Sequence, residues 1–244
     1  MKMNDAVIVM PTYNEIENIE IILEKIFSLN LGLDVLVVDD NSPDKTFQKV
    51  QELIDSNKYD DQLSLMIREN KEGLGKAYIA GFKRALSKEY KYIIEMDADL
   101  SHDPKYLPSF LENIKENDLV IGSRYVEGGG SVHWSRFRKL ISSGGGLYAR
   151  TILGIDVKDP TGGFKCFRRE VLESVDLDNL ITTGYAFQIE MNYRASIMGF
   201  RVKEIPIIFE DRVAGKSKMS KKIFIEALLK VVVLRIHKND ILRG

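Results

Sequence analysis

The hydrophobic pattern of the first 125 residues alternates between two periods. Short, nearly continuous apolar runs are typical of strands that are buried on both faces of a sheet. The longer segments between them repeat apolar positions every three or four residues, which is typical of amphipathic helices. Strands that alternate with such helices predict a mostly parallel, Rossmann-like α/β sheet flanked by helices. The predicted strands are 5–11, 34–40, 63–70, 91–96 and 118–124, and the predicted helices are 14–29, 43–56, 75–90 and 103–117.

The second half of the chain is less regular. Residues 138–154 have a helical pattern on both sides of a three-glycine interruption, Gly144–Gly146, and 159–175 predict a turn or short strand that leads into a helix. Because no linker divides the chain, we predict a single domain over residues 1–220, followed by a basic amphipathic helix in 221–244. The remaining predicted elements are a helix at 184–200, a strand at 201–211 and a terminal helix at 220–238.

The composition is that of an ordinary globular protein. Of its 244 residues, 44% are hydrophobic and 29% are charged, which is enough apolar material for a sizeable core. The single cysteine, Cys166, excludes an internal disulfide and fits a reducing compartment. The N-terminal apolar run is too short for a signal peptide, and no segment reaches about 18 uncharged apolar residues, so we expect no transmembrane helix.

The net charge of −1 hides an asymmetry along the chain. Residues 201–244 carry eleven Lys or Arg against five Asp or Glu, a balance of +6, whereas the other 200 residues have a balance of −7. A basic C-terminal end favours a negatively charged partner such as a phosphate, a nucleic acid or an anionic membrane surface.

Polar and acidic residues follow four of the five predicted strands of the first half. In a parallel sheet, ligands bind in the crevice beyond the carboxyl ends of the strands. Four such loops at one edge therefore predict a ligand site there. Their sequences are PTYNE after the first strand, DDNSPD after the second, DADLSHD after the fourth and SRYVEGGG after the fifth.

Asp97 and Asp99 stand two residues apart directly after the fourth strand. Two carboxylates at this spacing are able to hold one hard divalent cation, Mg²⁺ or Mn²⁺, while water and substrate phosphates complete the coordination. An EF-hand is excluded, because its sixth and twelfth loop positions are His102 and Pro108 here. A phosphotransferase in which Asp97 becomes phosphorylated stays open as an alternative.

Two other nucleotide-binding motifs fail. The GKS at 215–217 lacks the glycine that a P-loop needs five positions earlier, where Glu210 stands. The segment GLGKAY has Tyr78 where a dinucleotide-binding fingerprint has its last glycine. The carboxylate pair therefore remains the strongest sign of nucleotide chemistry.

Seven motifs in order along the chain resemble those of the polyprenol-phosphate (dolichol-phosphate) mannose synthases, which are inverting nucleotide-sugar glycosyltransferases with a GT-A fold. The resemblance runs from about residue 6 to residue 220. It implies transfer of mannose from GDP-mannose to the phosphate of a polyprenyl (dolichyl-type) phosphate, with Mg²⁺ or Mn²⁺ as the cofactor. The motifs are PTYNE, VVDDNSPD, KEGLGKAYIAGF, MDADLSHDP, GSRY, DPTGGFKCF and GYAFQIEM.

The resemblance implies a nucleoside pocket at the first two loops. Pro11, Tyr13 and Glu15 would line it, and Asp39 and Asp40 would bind the base and ribose. Alternatively, Asp39 and Asp40 merely cap the next helix, although Asp44 is the better candidate for that cap, as Asn14 is for the first helix.

For the metal, the resemblance implies Asp99 as the main ligand and Asp97 as a ligand of the metal, the sugar or both. The family often has a glutamine two residues after the second aspartate, but Ser101 stands there in this chain, so we expect no third protein ligand. We expect His102 to be a packed or solvated loop residue.

On the acceptor side, the family places phosphate contacts at the positions of Arg124, Arg138 and Ser142. It places diphosphate or acceptor contacts at Arg212 and Lys218, in a glycine-containing loop suited to a mobile clamp. The alternative for any one of these arginines is a surface ion pair of little energetic value.

Asp159 and Glu190 are interpreted as groups that bind sugar hydroxyls or orient an arginine, with a purely structural turn as the alternative for Asp159. Neither is expected to be a general base, because the lipid phosphate that attacks is already anionic near neutral pH. In the implied reaction, the enzyme has to bring two polyanions together and to stabilise the leaving diphosphate.

The acceptor would be a lipid, so we predict a peripheral enzyme on the cytoplasmic face of the membrane, with no nucleic-acid partner. The basic helix at 221–238 and the segment 138–154 are candidate membrane contacts. The alternative for the C-terminal helix is ordinary packing on the sheet. Three other functions stay open: the same fold with UDP-glucose or another nucleotide sugar, a phosphohydrolase, and a non-catalytic nucleotide-binding module.

Overall fold

A computed structural model describes residues 5–182, 184, 186–210 and 221–243. In this part of the chain, seven strands form one sheet, and two short strands form a separate parallel pair. The strands of the main sheet are β1 (Ala6–Thr12), β2 (Asp34–Asp39), β3 (Leu63–Ile67), β4 (Tyr92–Glu95), β5 (Leu119–Ser123), β7 (Lys165–Arg168) and β8 (Val202–Pro206). The separate pair is β6 (Gly130–Ser131) and β9 (Ile208–Phe209).

Helices cover both faces of the sheet. They are α1 (Ile19–Phe27), α2 (Thr46–Asp55), α3 (Leu74–Leu86), α4 (Leu107–Asn113), α5 (Arg136–Leu153), α6 (Arg169–Ser174), α7 (Ala186–Ile197), α8 (Lys221–Ile236) and α9 (Lys238–Ile241). Short 3₁₀ turns at Asp60–Gln62 and Pro104–Tyr106 precede β3 and α4.

The strand order is β3-β2-β1-β4-β7-β5-β8, and every strand runs in the same direction except β7. The predicted mostly parallel α/β sheet is therefore confirmed. After β1 the chain builds outward through β2 and β3, then returns to place β4 on the other side of β1. This reversal creates the crevice in which open α/β sheets bind ligands.

The core forms two layers because successive side chains of a strand point to opposite faces. In β1, Val7 and Val9 belong to the layer under α3 and α7, whereas Ile8 and Met10 belong to the layer under α1 and α2. Gly81 of α3 allows this helix to lie close to β1, since a Cβ there would lie 2.3 Å from Cγ1 of Val9. All seven residues of β1 are buried, as their apolar sequence predicts.

The start of the first helix differs from the predicted one, whereas the predicted contact at the start of α2 is present. The first helix begins at Ile19 rather than at residue 14, and Asn14 adopts a left-handed backbone with φ 61° instead of capping the helix. The backbone N–H of Asn14 donates to Ser42 Oγ at 3.1 Å, so this residue joins two loops. Asp44 does satisfy the start of α2, because its Oδ1 accepts from the backbone N–H of Thr46 at 3.0 Å.

The predicted interruption at Gly144–Gly146 is wrong, because α5 runs unbroken through all three glycines. Glycine costs a helix about 1 kcal/mol relative to alanine, but tertiary packing offsets this cost here. A Cβ at Gly146 would lie only 3.5 Å from Cδ of Pro160, so the helix lies close to the 158–160 loop. The predicted strand 201–211 also divides, since Ile207 donates its N–H to Ser123 and β9 pairs with β6.

The C-terminal helix α8 packs on α5 and α7. Val231 and Leu234 are buried in this contact, and the Tyr148 hydroxyl of α5 donates to the carbonyl of Leu228 at 3.2 Å. Leu229 and Ile236 are exposed, so apolar side chains occupy more than one face of α8. No helix within the described ranges is both long and apolar enough to cross a membrane.

Candidate active site

The predicted site residues converge on one edge of the sheet. The parallel strands β1, β2, β4 and β5 all end there, so the loops that carry Tyr13, Asp40, Asp97 and Arg124 meet at this edge. Because β7 is antiparallel, its beginning lies at the same edge and brings the loop with Asp159 into the site.

Asp39, at the end of β2, is fully buried and holds two loops together. Its Oδ2 accepts from Thr12 Oγ1 and from Ser42 Oγ, each at 2.7 Å, and its Oδ1 accepts from the backbone N–H of Ser42 at 2.7 Å. These hydrogen bonds fix the loop after β1 against the loop after β2. In this structure Asp39 therefore positions the predicted nucleoside pocket through its neighbours.

Asp40 forms a nearly buried ion pair with Arg68, whose Nη1 lies 2.7 Å from Oδ1. Burial raises the pKa of Asp40, and the Arg68 charge opposes that rise. Arg68 follows β3, and the hydrophobic pattern did not mark it because it lies inside the predicted strand 63–70 and outside the seven motifs. Its position at the carboxyl end of a strand is the one signal that would have pointed to it.

Tyr13 and Glu15 lie in the loop that leaves β1. The Nζ of Lys71 lies 3.5 Å from the centroid of the half-buried Tyr13 ring, which is a close cation–π contact. Glu15 accepts from Asn18 Nδ2 at 2.9 Å and donates its backbone N–H to Thr46. The predicted pocket residue Pro11 is buried within β1 itself.

Asp97 and Asp99 lie just beyond β4, at the crevice between β1 and β4. The Tyr78 hydroxyl donates to Asp97 Oδ1 at 2.7 Å, and the Asp97 backbone N–H donates to His102 Nδ1 at 3.0 Å. Asp99 is buried, and its Oδ1 accepts from the backbone N–H of Ser101 at 3.1 Å and from its hydroxyl at 2.5 Å. Both carboxylates are thus held by neutral hydrogen-bond donors.

The turn between Asp99 and Ser101 is strained. Leu100 has φ 66°, in the left-handed region that a bulky side chain rarely adopts. Such a conformation costs about 1–3 kcal/mol and persists where the surroundings enforce it, often at functional sites. His102, next along the chain, is buried and stacks on Phe164 with ring centroids 4.9 Å apart, so the expectation of a packed residue is confirmed.

The donor set fits a hard divalent cation, because carboxylate oxygens are what Mg²⁺ and Mn²⁺ prefer. No basic side chain among the described residues forms an ion pair with Asp97, so its charge is not neutralised by a direct partner there. Within the same residues, no group of three or more His, Cys, Asp or Glu is arranged to hold a metal. Asp97 and Asp99 are the residues that would hold the ion.

Behind this loop lies a fully buried polar cluster of Glu95, Lys165 and Gln188. Glu95 and Lys165 are cross-strand partners of β4 and β7, with Nζ 3.7 Å from Oε2, and Gln188 of α7 hydrogen-bonds to both side chains. Burial raises the pKa of Glu95 to about 7 and lowers the pKa of Lys165. The lysine within the buried run FKCF was the sequence signal for this cluster, and it was overlooked.

Arg124 and Asp159 form the strongest polar pair of the site. Arg124 donates from Nε to Oδ2 at 2.7 Å and from Nη2 to Oδ1 at 2.6 Å, and Nη2 also donates to Thr161 Oγ1 at 2.7 Å. Burial acts to raise the pKa of Asp159, but the Arg124 charge and its hydrogen bonds outweigh burial and lower it. Glu204 of β8 supports the loop by accepting the Asp159 backbone N–H at 2.8 Å.

Aromatic rings hold the other predicted acceptor residues beside Arg124. The Arg124 guanidinium carbon lies 5.3 Å from the Trp134 ring centroid, and that of Arg138 lies 4.3 Å from it. The Tyr125 hydroxyl donates to Ser142 Oγ at 2.7 Å. The structure thus brings Arg124, Arg138 and Ser142 around two aromatic residues, Trp134 and Tyr125, that the sequence analysis did not single out.

Glu190 of α7 is fully buried and organises a loop. It accepts from the backbone N–H groups of Ile181 and Thr182 at 2.9 and 2.8 Å, and from Arg194 Nε at 2.9 Å. This agrees with an arginine-orienting role, although the arginine concerned is Arg194 of the same helix. The other two predicted contacts, Arg212 and Lys218, lie outside the described residues.

Comparison with known proteins identifies the family. A model of glycosyl transferase family 2 matches residues 7–176, which is more than half of the chain. The chain belongs to this family. The GT-A fold and the glycosyltransferase class that were predicted from the motifs are therefore confirmed.

Two curated relatives cover most of this glycosyltransferase. An undecaprenyl-phosphate mannosyltransferase of Micrococcus luteus is 44% identical over 224 residues, which are 91% of this chain and 90% of that protein. A polyprenol monophosphomannose synthase of Mycolicibacterium smegmatis is 42% identical over 227 residues, which are 93% of this chain and 85% of that protein. The predicted resemblance to polyprenol-phosphate mannose synthases is therefore confirmed.

Two solved structures share the fold. Mannosyl-3-phosphoglycerate synthase from Rubrobacter xylanophilus has a TM-score of 0.69 at 19% identity, covering 96% of this chain and 74% of that one. A mannosyltransferase from Pyrobaculum calidifontis, solved in complex with GDP-Man and Mn²⁺, has a TM-score of 0.61 at 18% identity. That alignment covers 98% of this glycosyltransferase and 64% of the Pyrobaculum chain.

Proposed function

We propose that this glycosyltransferase transfers mannose from GDP-mannose to the phosphate of a polyprenyl phosphate, with inversion at the anomeric carbon. One observation carries the proposal: a pair of oxygen-donating aspartates in the loop after β4 and a pair of arginines, Arg124 after β5 and Arg138 on α5, lie at the same edge of the sheet. The first suits a metal–diphosphate donor and the second an anionic acceptor. The names of the two curated relatives support the choice of mannose and of a polyprenyl phosphate.

On the donor side, Asp97 and Asp99 would hold Mg²⁺ or Mn²⁺. When bound, the ion neutralises the charge that develops on the leaving diphosphate. Tyr13, Glu15 and Asp40 would surround the nucleoside, and the Asp39 hydrogen bonds keep their two loops in place. The GDP-Man and Mn²⁺ in the structure of the Pyrobaculum protein support the donor and the metal class. Arg212 and Lys218 complete the proposed donor contacts.

On the acceptor side, one guanidinium nitrogen of Arg124 forms no hydrogen bond with the described residues. Its Nε and Nη2 hydrogens are taken by Asp159 and Thr161, whereas Nη1 makes no hydrogen bond to the described residues. Asp159 therefore fixes the plane of the guanidinium and leaves Nη1 for a phosphate oxygen. Arg138 and Ser142, held by Trp134 and Tyr125, would bind the same phosphate.

The chemistry then needs no general base. The acceptor phosphate oxygen is already negative, so it attacks the anomeric carbon directly from the face opposite the diphosphate, which inverts the configuration. The arginines hold the anionic acceptor close to the anionic donor. This lowers the activation barrier, because it orients the reactants and offsets the repulsion between their charges. Asp159 remains ionised because its pKa is lowered by Arg124 despite burial, so its role is to orient that arginine.

Membrane contact belongs to the same proposal. Helix α5 carries Arg138 and Ser142 and also exposes Phe137, Leu140 and Leu147, with exposed fractions of 71%, 68% and 61%. Exposed apolar residues of this size, next to basic residues, are typical of interfacial helices. The C-terminal helix, predicted as a separate basic segment at 221–244, packs against α5 and also exposes two apolar side chains, Leu229 and Ile236. A peripheral enzyme on the cytoplasmic membrane face would thus present its acceptor site to the lipid.

The test is a parallel assay of the purified chain with a short polyprenyl phosphate, Mg²⁺ or Mn²⁺, and either GDP-mannose or UDP-glucose. We expect lipid-linked mannose from GDP-mannose alone, and its loss in Asp99→Asn. Asp103→Asn is the matched control, since Asp103 lies in the same loop and caps the following turn. Turnover with UDP-glucose alone would overturn the donor. Phosphate release from the lipid without any nucleotide sugar would favour a phosphohydrolase instead.

A further inference from the structure

Tyr78 is a fully buried residue of α3 whose hydroxyl reaches the candidate metal loop. Its ring packs in the core, parallel to Phe187 with centroids 6.1 Å apart, and near Phe82 at 5.8 Å. Its hydroxyl donates to Asp97 Oδ1 at 2.7 Å. A residue of the hydrophobic layer thus contacts one of the two proposed metal ligands directly.

The direction of this hydrogen bond is unambiguous. A tyrosine phenol is protonated at neutral pH, whereas an ionised carboxylate has no hydrogen to donate, so the Tyr78 hydroxyl is the donor and Asp97 Oδ1 the acceptor. A hydrogen bond to a carboxylate is among the stronger ones in proteins. Asp97 Oδ1 is therefore held by a group that is itself fixed by packing on all sides.

Asp97 is anchored at a second point. Its backbone N–H donates to His102 Nδ1, and the His102 ring is stacked on Phe164. With one carboxylate oxygen and the backbone both held, the side chain has little rotational freedom left. Oδ2, in contrast, accepts no hydrogen bond from the described residues.

We propose that Tyr78 is a positioning residue of the donor site, whose hydroxyl occupies Asp97 Oδ1 so that Oδ2 alone faces the metal or the donor. The hydrogen bond from Tyr78 sets the orientation of the Asp97 carboxylate before the metal and nucleotide bind. The inference rests on the proposed metal–nucleotide donor site. It also explains why tyrosine stands in GLGKAY at the position where a dinucleotide-binding loop would have glycine.

The experiment compares Tyr78→Phe with Tyr193→Phe. Each change removes one hydroxyl from a fully buried tyrosine, but Tyr193 Oη has no hydrogen-bond partner among the described residues, which makes it a matched control. Mn²⁺ binding is measured in the presence of GDP by electron paramagnetic resonance of the free ion, without turnover. Because loss of an outer partner of a metal ligand typically weakens metal binding 10–100-fold, we expect Mn²⁺ affinity to fall about tenfold in Y78F and to stay unchanged in Y193F.

A double-mutant cycle with Asp97→Ala separates positioning from general packing. If Tyr78 acts through Asp97, Y78F will have no further effect on Mn²⁺ affinity in the D97A background. Equal Mn²⁺ affinity of Y78F and the wild type, or an additive effect in D97A, overturns the inference. Weaker Mn²⁺ binding in Y78F would support the positioning role of Tyr78 even if the assay of the proposed function found no mannose transfer. Failure of the positioning role and failure of the proposed function are therefore distinguishable.

Discussion

Asp159 accepts two parallel hydrogen bonds from the Arg124 guanidinium, at 2.7 and 2.6 Å, and the Asp159 carboxylate is completely buried. The pair joins the loop after β5 to the loop before β7, across the antiparallel contact of these strands. Arg124→Lys keeps the charge but loses the two-pronged geometry. We expect the KM for polyprenyl phosphate to rise at least about tenfold, with the KM for GDP-mannose little changed. Steady-state kinetics with each substrate varied in turn will test this.

Arg124→Ala is the harsher variant of the same position. It leaves the Asp159 charge buried without its cationic partner, and the loss of one member of a buried ion pair typically costs about 3–5 kcal/mol of unfolding free energy. Urea denaturation of the two variants should therefore rank the wild type first, R124K second and R124A last. Equal stability of R124A and the wild type would show that the pair contributes nothing to the fold.

The same pair predicts how stability depends on acid. The pKa of Asp159 is lowered in the folded protein, so its contribution is fully present above the unfolded pKa of about 4 and is lost as the pH falls through the folded value. Asp159→Asn removes this contribution at every pH. We therefore expect the stability difference between wild type and D159N to shrink below about pH 4. Melting temperatures measured from pH 7 down to pH 3 will show whether the two curves converge.

Local sequence pattern was sufficient for most of the fold but not for contacts between distant segments. The strands β1 to β5 lie where apolar runs predicted them, and β1, β2, β4 and β5 are almost entirely buried, whereas the outermost strand β3 is only partly buried. The antiparallel insertion of β7 was not predictable, since its sequence shows that Cys166 is buried but not that β4 and β5 are its neighbours. For the same reason the glycines of α5 suggested an interruption, although the helix is continuous through them.

The candidate site divides in a similar way. Asp97, Asp99 and Arg124 were predictable because they follow strands in order along the chain. Tyr78 and Trp134 were not, because each reaches the site from a different element and has no motif that marks the contact. Sequence patterns identify the groups that carry charge at a sheet edge, whereas the residues that hold those groups in place depend on tertiary packing.

The buried pair Glu95 and Lys165 predicts the opposite pH trend at higher pH. The pKa of Glu95 is raised to about 7 by burial, so the folded state binds a proton more tightly than the unfolded state does. Between the unfolded pKa of about 4.3 and pH 7, this carboxyl therefore lowers stability as the pH rises. Glu95→Gln should flatten that slope, which melting curves across this range will measure. Lys203→Gln, an exposed change on β8, serves as the control.

Leu100 offers a test of strain in the metal loop. Its φ of 66° suits glycine and penalises any residue with a Cβ. Leu100→Gly and Leu100→Ala both remove the side chain, so their difference reports the backbone rather than the packing. We expect L100G to be more stable than L100A by about 1 kcal/mol, although glycine ordinarily costs more entropy. The reverse order in chemical denaturation would mean that the loop carries no such strain.

The exposed face of α5 predicts how the protein meets its lipid substrate. Phe137 and Leu140 lie one helical turn apart, close to Arg138, which is proposed to bind the acceptor phosphate. Burying one such side chain in a membrane is worth about 1.5–3 kcal/mol, and a charge there would lose that gain. We therefore expect Phe137→Glu and Leu140→Glu each to weaken binding to vesicles of anionic lipid at least about tenfold, as measured by co-sedimentation.

The control for this prediction is Ile67→Glu. Ile67 is also an exposed apolar residue, but it ends β3, the outermost strand of the sheet, which lies five strands away from β5. If α5 is the membrane contact, I67E will bind vesicles like the wild type, and F137E will still use a short, water-soluble polyprenyl phosphate at the wild-type rate. The second result matters because it separates the proposed membrane surface from the proposed acceptor-phosphate contacts on the same helix. Loss of turnover with the soluble acceptor would instead place Phe137 in the acceptor site, and equal vesicle binding of all three variants would exclude α5 as the membrane contact.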